Sequence, residues 1–199
     1  MKNLLVVYHS QSGATKKMAN AVLSGAKSCD QKNISMKVKD PITATSTDVL
    51  WADAVILGTP TNFGYMSGAL KYFFDNIYYD CIDRKRGLSY ALFIKGDTDT
   101  TGALTGVDKI TSGLGWKLMV EPLIVTGELS SASVSACEEL GLTVATGLEA
   151  GVRLGRLKGW LHRRQIEENL SEADEVISML DTLDWESEDP ESWPALAWP

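Results

Sequence analysis

Two apolar runs, LLVVY at residues 4–8 and AVILG at residues 54–58, are each followed at once by a loop of small, hydroxyl and glycine residues and then by a helical pattern. Runs of this kind without polar alternation read as strands buried on both faces, which occur in parallel sheets covered by helices. The first loop, SQSGAT at residues 10–15, places Ser10, Ser12 and Thr15 hydroxyls around Gly13 and Ala14 where strand turns into helix. Backbone N–H groups and hydroxyls can converge there on a phosphate at a helix N-terminus. The second, GTPTNFGYMSGALKYFFD at residues 58–75, supplies what a phosphate does not need. Pro60 and Gly64 set an irregular backbone close to a ligand, while Asn62 offers amide hydrogen bonds and Phe63 and Tyr65 offer aromatic faces. A ligand with a phosphate at one end and a flat polar ring at the other satisfies both loops.

Strands and helices alternate along the chain. The periodicity predicts helices over 14–26, 46–51, 67–78, 106–115 and 134–152, and strands over 4–8, 34–38, 54–58, 90–94 and 118–125. Short connections between alternating elements imply a parallel sheet with right-handed crossovers, doubly wound, with ligands at the carboxyl ends of the strands. A third loop, KGDTDTTG at residues 95–102, falls at such an end. Its Lys95, Gly96, Asp97 and Gly102 either contact a ligand or form a solvated strand-to-helix turn, since Asp, Thr and Gly are ordinary turn and cap residues. Lys16 and Lys17 oppose the dipole at a helix start and read as solvated surface lysines. His9, directly after the first strand, is given no catalytic role.

The two loops resemble those of the flavodoxin-like flavoproteins, and within them the NAD(P)H:quinone oxidoreductase branch typified by the tryptophan-repressor-binding-protein-like proteins. The first loop fits [ST]-x-[ST]-G-x-T; the second fits the longer and more specific G-T-P-T-x-F-G-x-M-S-G-x-L-K-x-F-x-D. The resemblance covers roughly residues 1–125. It implies an α/β fold with a flavodoxin-like, doubly wound five-stranded parallel sheet of order 2-1-3-4-5, and FMN as cofactor. Ser10, Ser12, Gly13, Ala14 and Thr15 would then surround the phosphate, Pro60, Thr61, Asn62, Phe63, Gly64, Tyr65 and Met66 would lie along the isoalloxazine, and Lys95, Gly96, Asp97, Thr98, Thr101 and Gly102 would close over the ring or the phosphate. The third loop departs from the glycine-rich form typical of the quinone-reductase branch.

Rival α/β chemistries lack their letters. There is no G-x-x-x-x-G-K-[ST] and no G-x-G-x-x-G in the first turn. A low-molecular-weight tyrosine phosphatase needs an arginine six residues after its cysteine, and Gly87 stands there after Cys81. Tyr8 and Thr59 occupy strand ends where a response regulator needs magnesium-binding acids. A chain of 199 residues, 44% hydrophobic, has room for one α/β core and an extension but not for two ordinary enzyme domains. Cys29, Cys81 and Cys137 are odd in number and lack a C-x-x-C, which favours a reducing cytoplasm; with only His9 and His162 beside them, no metal site is expected. The opening MKNLLVVYHS reads as a first strand rather than a signal peptide, and no apolar stretch approaches a membrane span.

The division expected is an FMN-binding domain over 1–152 and an extension over 153–199. Eleven of the 26 acidic residues lie in 165–199, which holds no lysine or arginine, so residues 1–164 carry 15 acidic against all 19 basic residues. A basic segment at 152–164 precedes this tail. Three readings stay open: a clasp between segment and tail, a docking patch for the NADPH 2′-phosphate or a partner, and two solvated helical faces. Nucleic-acid binding gains little from one short basic segment in an acidic chain. The apolar spacing over 166–183 predicts an amphipathic helix, and Trp185, Trp193 and Trp198 follow it. Three tryptophans are costly to leave in water, so a homodimer with the tail reaching across is the expectation. By resemblance the activity is hydride transfer from NAD(P)H through FMN to a quinone-like small-molecule acceptor, with no catalytic side chain to name. Two alternatives are an electron-transfer flavodoxin with no substrate of its own and a flavin-binding regulatory protein.

Overall fold

A computed structural model describes residues 1–28 and 33–150. The elements in chain order are β1 (Lys2–Tyr8), α1 (Ala14–Ser28), β2 (Ile34–Lys39), α2 (Ser46–Trp51), β3 (Ala54–Asn62), β4 (Tyr65–Met66), α3 (Gly68–Cys81), β5 (Ser89–Gly96), α4 (Thr101–Gly113), β6 (Lys117–Leu118), β7 (Leu123–Thr126) and α5 (Ser131–Glu149). The expected extension over 153–199, with its basic segment, amphipathic helix and tryptophan tail, lies outside the described residues. So do Cys29 and the last two residues of the helix expected over 134–152.

The sheet runs β2-β1-β3-β5-β6, with β7 also paired to β5. Every pairing in this path is parallel, so the five-stranded order 2-1-3-4-5 is present once β6 and β7 are counted as one broken strand. Strand periodicity explains why helices cover both faces. Leu4, Val6, Ala54, Ile56, Ala91 and Phe93 face α1 and α5, whereas Leu5, Val7, Val55, Leu57, Leu92 and Ile94 face the layer containing α3 and α4. The expected fifth strand is interrupted because the four residues of β5 from Tyr90 to Phe93 are matched by six on the edge strand, from Leu118 to Leu123. Pro122 sits in the excursion, where its missing N–H cannot serve a ladder.

Glycines set how closely the layers approach. A Cβ on Gly25 would overlap the Glu138 carbonyl, and one on Gly141 would overlap the Val22 carbonyl, so α1 and α5 touch backbone to backbone. On the opposite layer, a Cβ on Gly102 would overlap the Gly64 carbonyl, and one on Gly106 would press into Tyr65 and Met66. The helix expected over 106–115 begins earlier, at Thr101, so Gly102 belongs to its first turn. Asp99 secures that start: its carboxylate accepts from the Thr101 N–H at 2.9 Å, and this bond holds the Asp99 carboxyl below the usual carboxylate range.

The segment after β3 contains an unanticipated hairpin. Thr61 pairs with Met66 and Asn62 with Tyr65, antiparallel, around Phe63 and Gly64. Both central residues have positive φ, 50° and 73°, the signature of a type I′ turn. Glycine adopts this readily; Phe63 does so against the clash of its Cβ with the neighbouring carbonyl, and its ring is fully exposed. Met66 returns to the core, and Ser67 then caps α3 by accepting from the Leu70 N–H at 3.2 Å.

Gly141→Ala is expected to destabilise the chain by about 1–3 kcal/mol, because the backbone contact cannot be relieved by a rotamer change; urea unfolding followed by circular dichroism measures it. Phe63→Asn installs the pair preferred in type I′ turns and should raise stability by about 1 kcal/mol. The same urea experiment checks it, and a midpoint unmoved or lowered would contradict the strain assigned to Phe63.

Candidate functional site

The carboxyl ends of β1, β3, β5 and β7 surround a cavity of ≈ 680 Å³. Its first wall is the turn into α1. Gly13, at φ 94°, reverses the chain after Ser12, and α1 starts at Ala14. Ser10 lies outside the lining and acts as a cap, its Oγ accepting from the Lys16 N–H at 3.0 Å. The Lys17 N–H donates to the Gly13 carbonyl at 3.0 Å. The first-turn N–H groups ahead of Lys16 have no acceptor within the helix. Ser12, Gly13, Ala14 and Thr15 all line the cavity, and the first turn of α1 carries no acid to compete with an anion. Lys17 is exposed, as expected of a surface lysine, and also borders the cavity.

Pro60, Thr61 and Asn62 form the second wall. The Asn62 amide donates to Gln11 Oε1 at 3.3 Å and ties this wall to the first loop. Thr61 Oγ1 is withdrawn from solvent with no hydrogen-bond partner, and it lies close to Gly96 on the neighbouring strand. The rest of this group is set apart from the lining. Phe63 and Gly64 form the hairpin tip, Tyr65 lies against Gly106 of α4, and Met66 is in the core. Gly102 serves the contact between α4 and the hairpin.

The third wall is Lys95, Gly96 and Asp97, so the start of the KGDTDTTG loop reaches the cavity. Lys95 is buried; its ammonium donates to the Gly96 carbonyl at 2.6 Å and lies 3.5 Å from the Asp97 carboxylate, which is 99% exposed. A fourth wall, Gly127, Glu128 and Leu129, escaped the sequence reading together with Gln11. The Gly127 N–H bonds both the Gly96 and Asp97 carbonyls, at 3.1 and 3.2 Å, joining the third and fourth walls. The signal was present in the apolar LIVT run ending at a glycine, which marks another strand end on the ligand edge.

The arrangement combines an anion cradle at a helix start, an unpartnered hydroxyl, a buried ammonium and a slot between loops. Among the described residues no group of three or more His, Cys, Asp or Glu could hold a metal, and no helix is long and apolar enough to cross a membrane. Cys81 and Cys137 lie in the core, where burial first and neighbouring acids second push each thiol up to about 11, so neither serves as a thiolate near neutrality.

Residues 17–94 match the family model described as NADPH-dependent FMN reductase. A flavodoxin of Aquifex aeolicus is 44% identical over 77 residues, a match that spans 39% of this chain and 40% of that protein. Among solved structures, a flavodoxin from the domain Archaea superposes with TM-score 0.62 at 22% identity, covering 74% of this chain and 99% of the other. The WrbA-like flavodoxin of Agrobacterium tumefaciens superposes with TM-score 0.61 at 24% identity, covering 75% and 99%. The chain thus has the flavodoxin-like fold, and its residues 17–94 are similar to the NADPH-dependent FMN reductase family.

Proposed function

We propose that the chain binds FMN in this cavity and oxidises NAD(P)H at the expense of a quinone-like acceptor. The observation that carries the reading is the acid-free helix start at Ser12–Thr15, whose first-turn N–H groups have no intrahelical acceptor, set in the wall of a cavity at the carboxyl ends of the strands. That helix start suits a phosphate, and 680 Å³ is in the range of cofactor sites. Bound FMN supplies a ring that takes a hydride from a nicotinamide and returns two electrons to an acceptor. The chain's own residues do the rest. Ser12, Gly13, Ala14 and Thr15 hold the phosphate through first-turn N–H groups and hydroxyls, with Lys17 adding charge. Pro60, Thr61 and Asn62 orient the ring on one side, and Gly96 and Asp97 approach it on the other.

The second reading, an electron carrier without a substrate of its own, is favoured by the name flavodoxin on the Aquifex relative and on the superposed structures. Anaerobic titration of the FMN-loaded chain with NADPH, followed by benzoquinone, separates the two. Rapid bleaching of the flavin and recovery on adding quinone is the expected result. Bound flavin that NADPH bleaches only slowly would turn the assignment to the carrier, and no flavin binding would remove both. Ser12→Asp places a carboxylate beside the phosphate and should weaken FMN by about tenfold or more through charge repulsion, measured by quenching of flavin fluorescence; unchanged affinity would move the phosphate elsewhere.

A further inference from the structure

Two charged side chains are buried among the described residues, Asp48 and Lys95, and they are treated very differently. Asp48 has Lys37 at 3.8 Å and Lys39 at 3.9 Å, and it accepts from the Thr45 N–H in the capping box that starts α2. Its charge is answered within the fold. Lys95 has one carbonyl and one carboxylate, and that carboxylate is almost wholly in water, where a 3.5 Å pairing contributes little. A buried ammonium so weakly compensated is unfavourable in the empty fold. Two of its three N–H donors are occupied by these contacts, which leaves one for a ligand.

Position assigns that ligand atom to a part of the cofactor. Lys95 pairs in register with Pro60, and its strand is separated by β3 from β1, where the phosphate loop begins. Two strand spacings amount to about 10 Å. Lys95 therefore lines the stretch of cavity beside Pro60 and Thr61, past the phosphate cradle, and a Cβ on neighbouring Gly96 would lie only 3.4 Å from Thr61 Oγ1.

We propose that Lys95 is a tuning residue for the bound ring: its ammonium stabilises the negative charge that reduction places on FMN, and so selects the two-electron-reduced form. This rests on the FMN reading above. The charge balance is simple. Hydride from NADPH brings two electrons and one proton to a neutral ring, NADP⁺ leaves, and the ring carries one negative charge until a further proton arrives. A fixed cation lining the cavity favours that product over the neutral oxidised ring. A lysine that merely anchored the phosphate would hold both forms equally.

The difference defines the experiment on the full chain loaded with FMN. Dissociation constants for oxidised FMN and two-electron midpoint potentials are measured for the parent, Lys95→Met, Lys95→Gln and Lys95→Arg, with circular dichroism verifying the fold. Lys95→Met and Lys95→Gln should bind oxidised FMN within about threefold of the parent but reduced FMN about tenfold more weakly, a midpoint lowered by about 30 mV for this two-electron couple. Lys95→Arg should restore the parent potential. An unchanged potential in a flavin-loaded Lys95→Met or Lys95→Gln, or equal weakening of both forms, overturns the role of Lys95 and leaves the FMN reading standing. Failure of the parent itself to bind FMN overturns both.

Discussion

Parallel pairing of three doubly buried strands is the constraint from which this molecule follows. Tyr8 lies level with Gly58, and Pro60 with Lys95, so the chain leaves β1, β3 and β5 at one edge of the sheet. Residues 4–7 and 54–57 are wholly withdrawn from water, and polar or charged groups cannot be inserted among them without large cost. Polar chemistry is thereby expelled to the strand ends, and parallel direction gathers those ends together. The cavity is the place where buried strands are finally allowed hydroxyls, an amide and a lysine.

Holding that edge in shape falls to contacts remote from any ligand. The backbone contact of α1 with α5, permitted by Gly25 and Gly141, sets the position of α1 and hence of the first-turn N–H groups at its start. A matching pair of glycines in α4, Gly102 and Gly106, seats the hairpin that carries Thr61 and Asn62. Both layers use missing side chains to bring helices within reach of the loops. The conformational freedom of glycine in a helix costs about 1 kcal/mol relative to alanine, and close packing offsets it. The two loops are then joined directly through Asn62 and Gln11, and the third and fourth walls through Gly127.

Periodicity carried the fold in the letters because the central strands are apolar throughout and the helices keep one apolar face. Helix α2 occupies the residues anticipated for it, and α1 and α3 lie within a few residues of theirs. What escaped depends on pairings between distant residues. The β3–β4 hairpin was hidden because Phe63 is a poor residue for a left-handed turn, so the usual Asn-Gly signal is absent. The break between β6 and β7 needs the register on β5 to be seen. Of the site, Ser12 to Thr15, Pro60 to Asn62 and Lys95 to Asp97 stand together as a local reading of loops suggests. Gly102 does not, because its place is decided by which helix turn meets the Gly64 carbonyl. Gly127 shows the reverse case, reaching the cavity through a strand end far along the chain.

The stretch that matches the FMN reductase family, residues 17–94, covers the hairpin wall but stops one residue short of Lys95 and begins after Ser12–Thr15. It contains β2, β3, β4, α2, α3 and most of α1 and β5 with one wall, whereas β1, α4, β7, α5, the helix start at Ser12–Thr15 and the third and fourth walls lie outside it. Fold and chemistry are therefore separable here, as they are wherever one architecture hosts carriers and reductases alike. A carrier and a reductase can share every buried strand residue and differ only in the charges facing the ring. On this chain the outlying walls contribute a buried cation at Lys95 and acids at Asp97 and Glu128. Asp97 is exposed and screened by water, whereas Lys95 is buried. Under the FMN reading proposed above, the interior charge would therefore outweigh the exposed one at the ring and would favour its two-electron reduction.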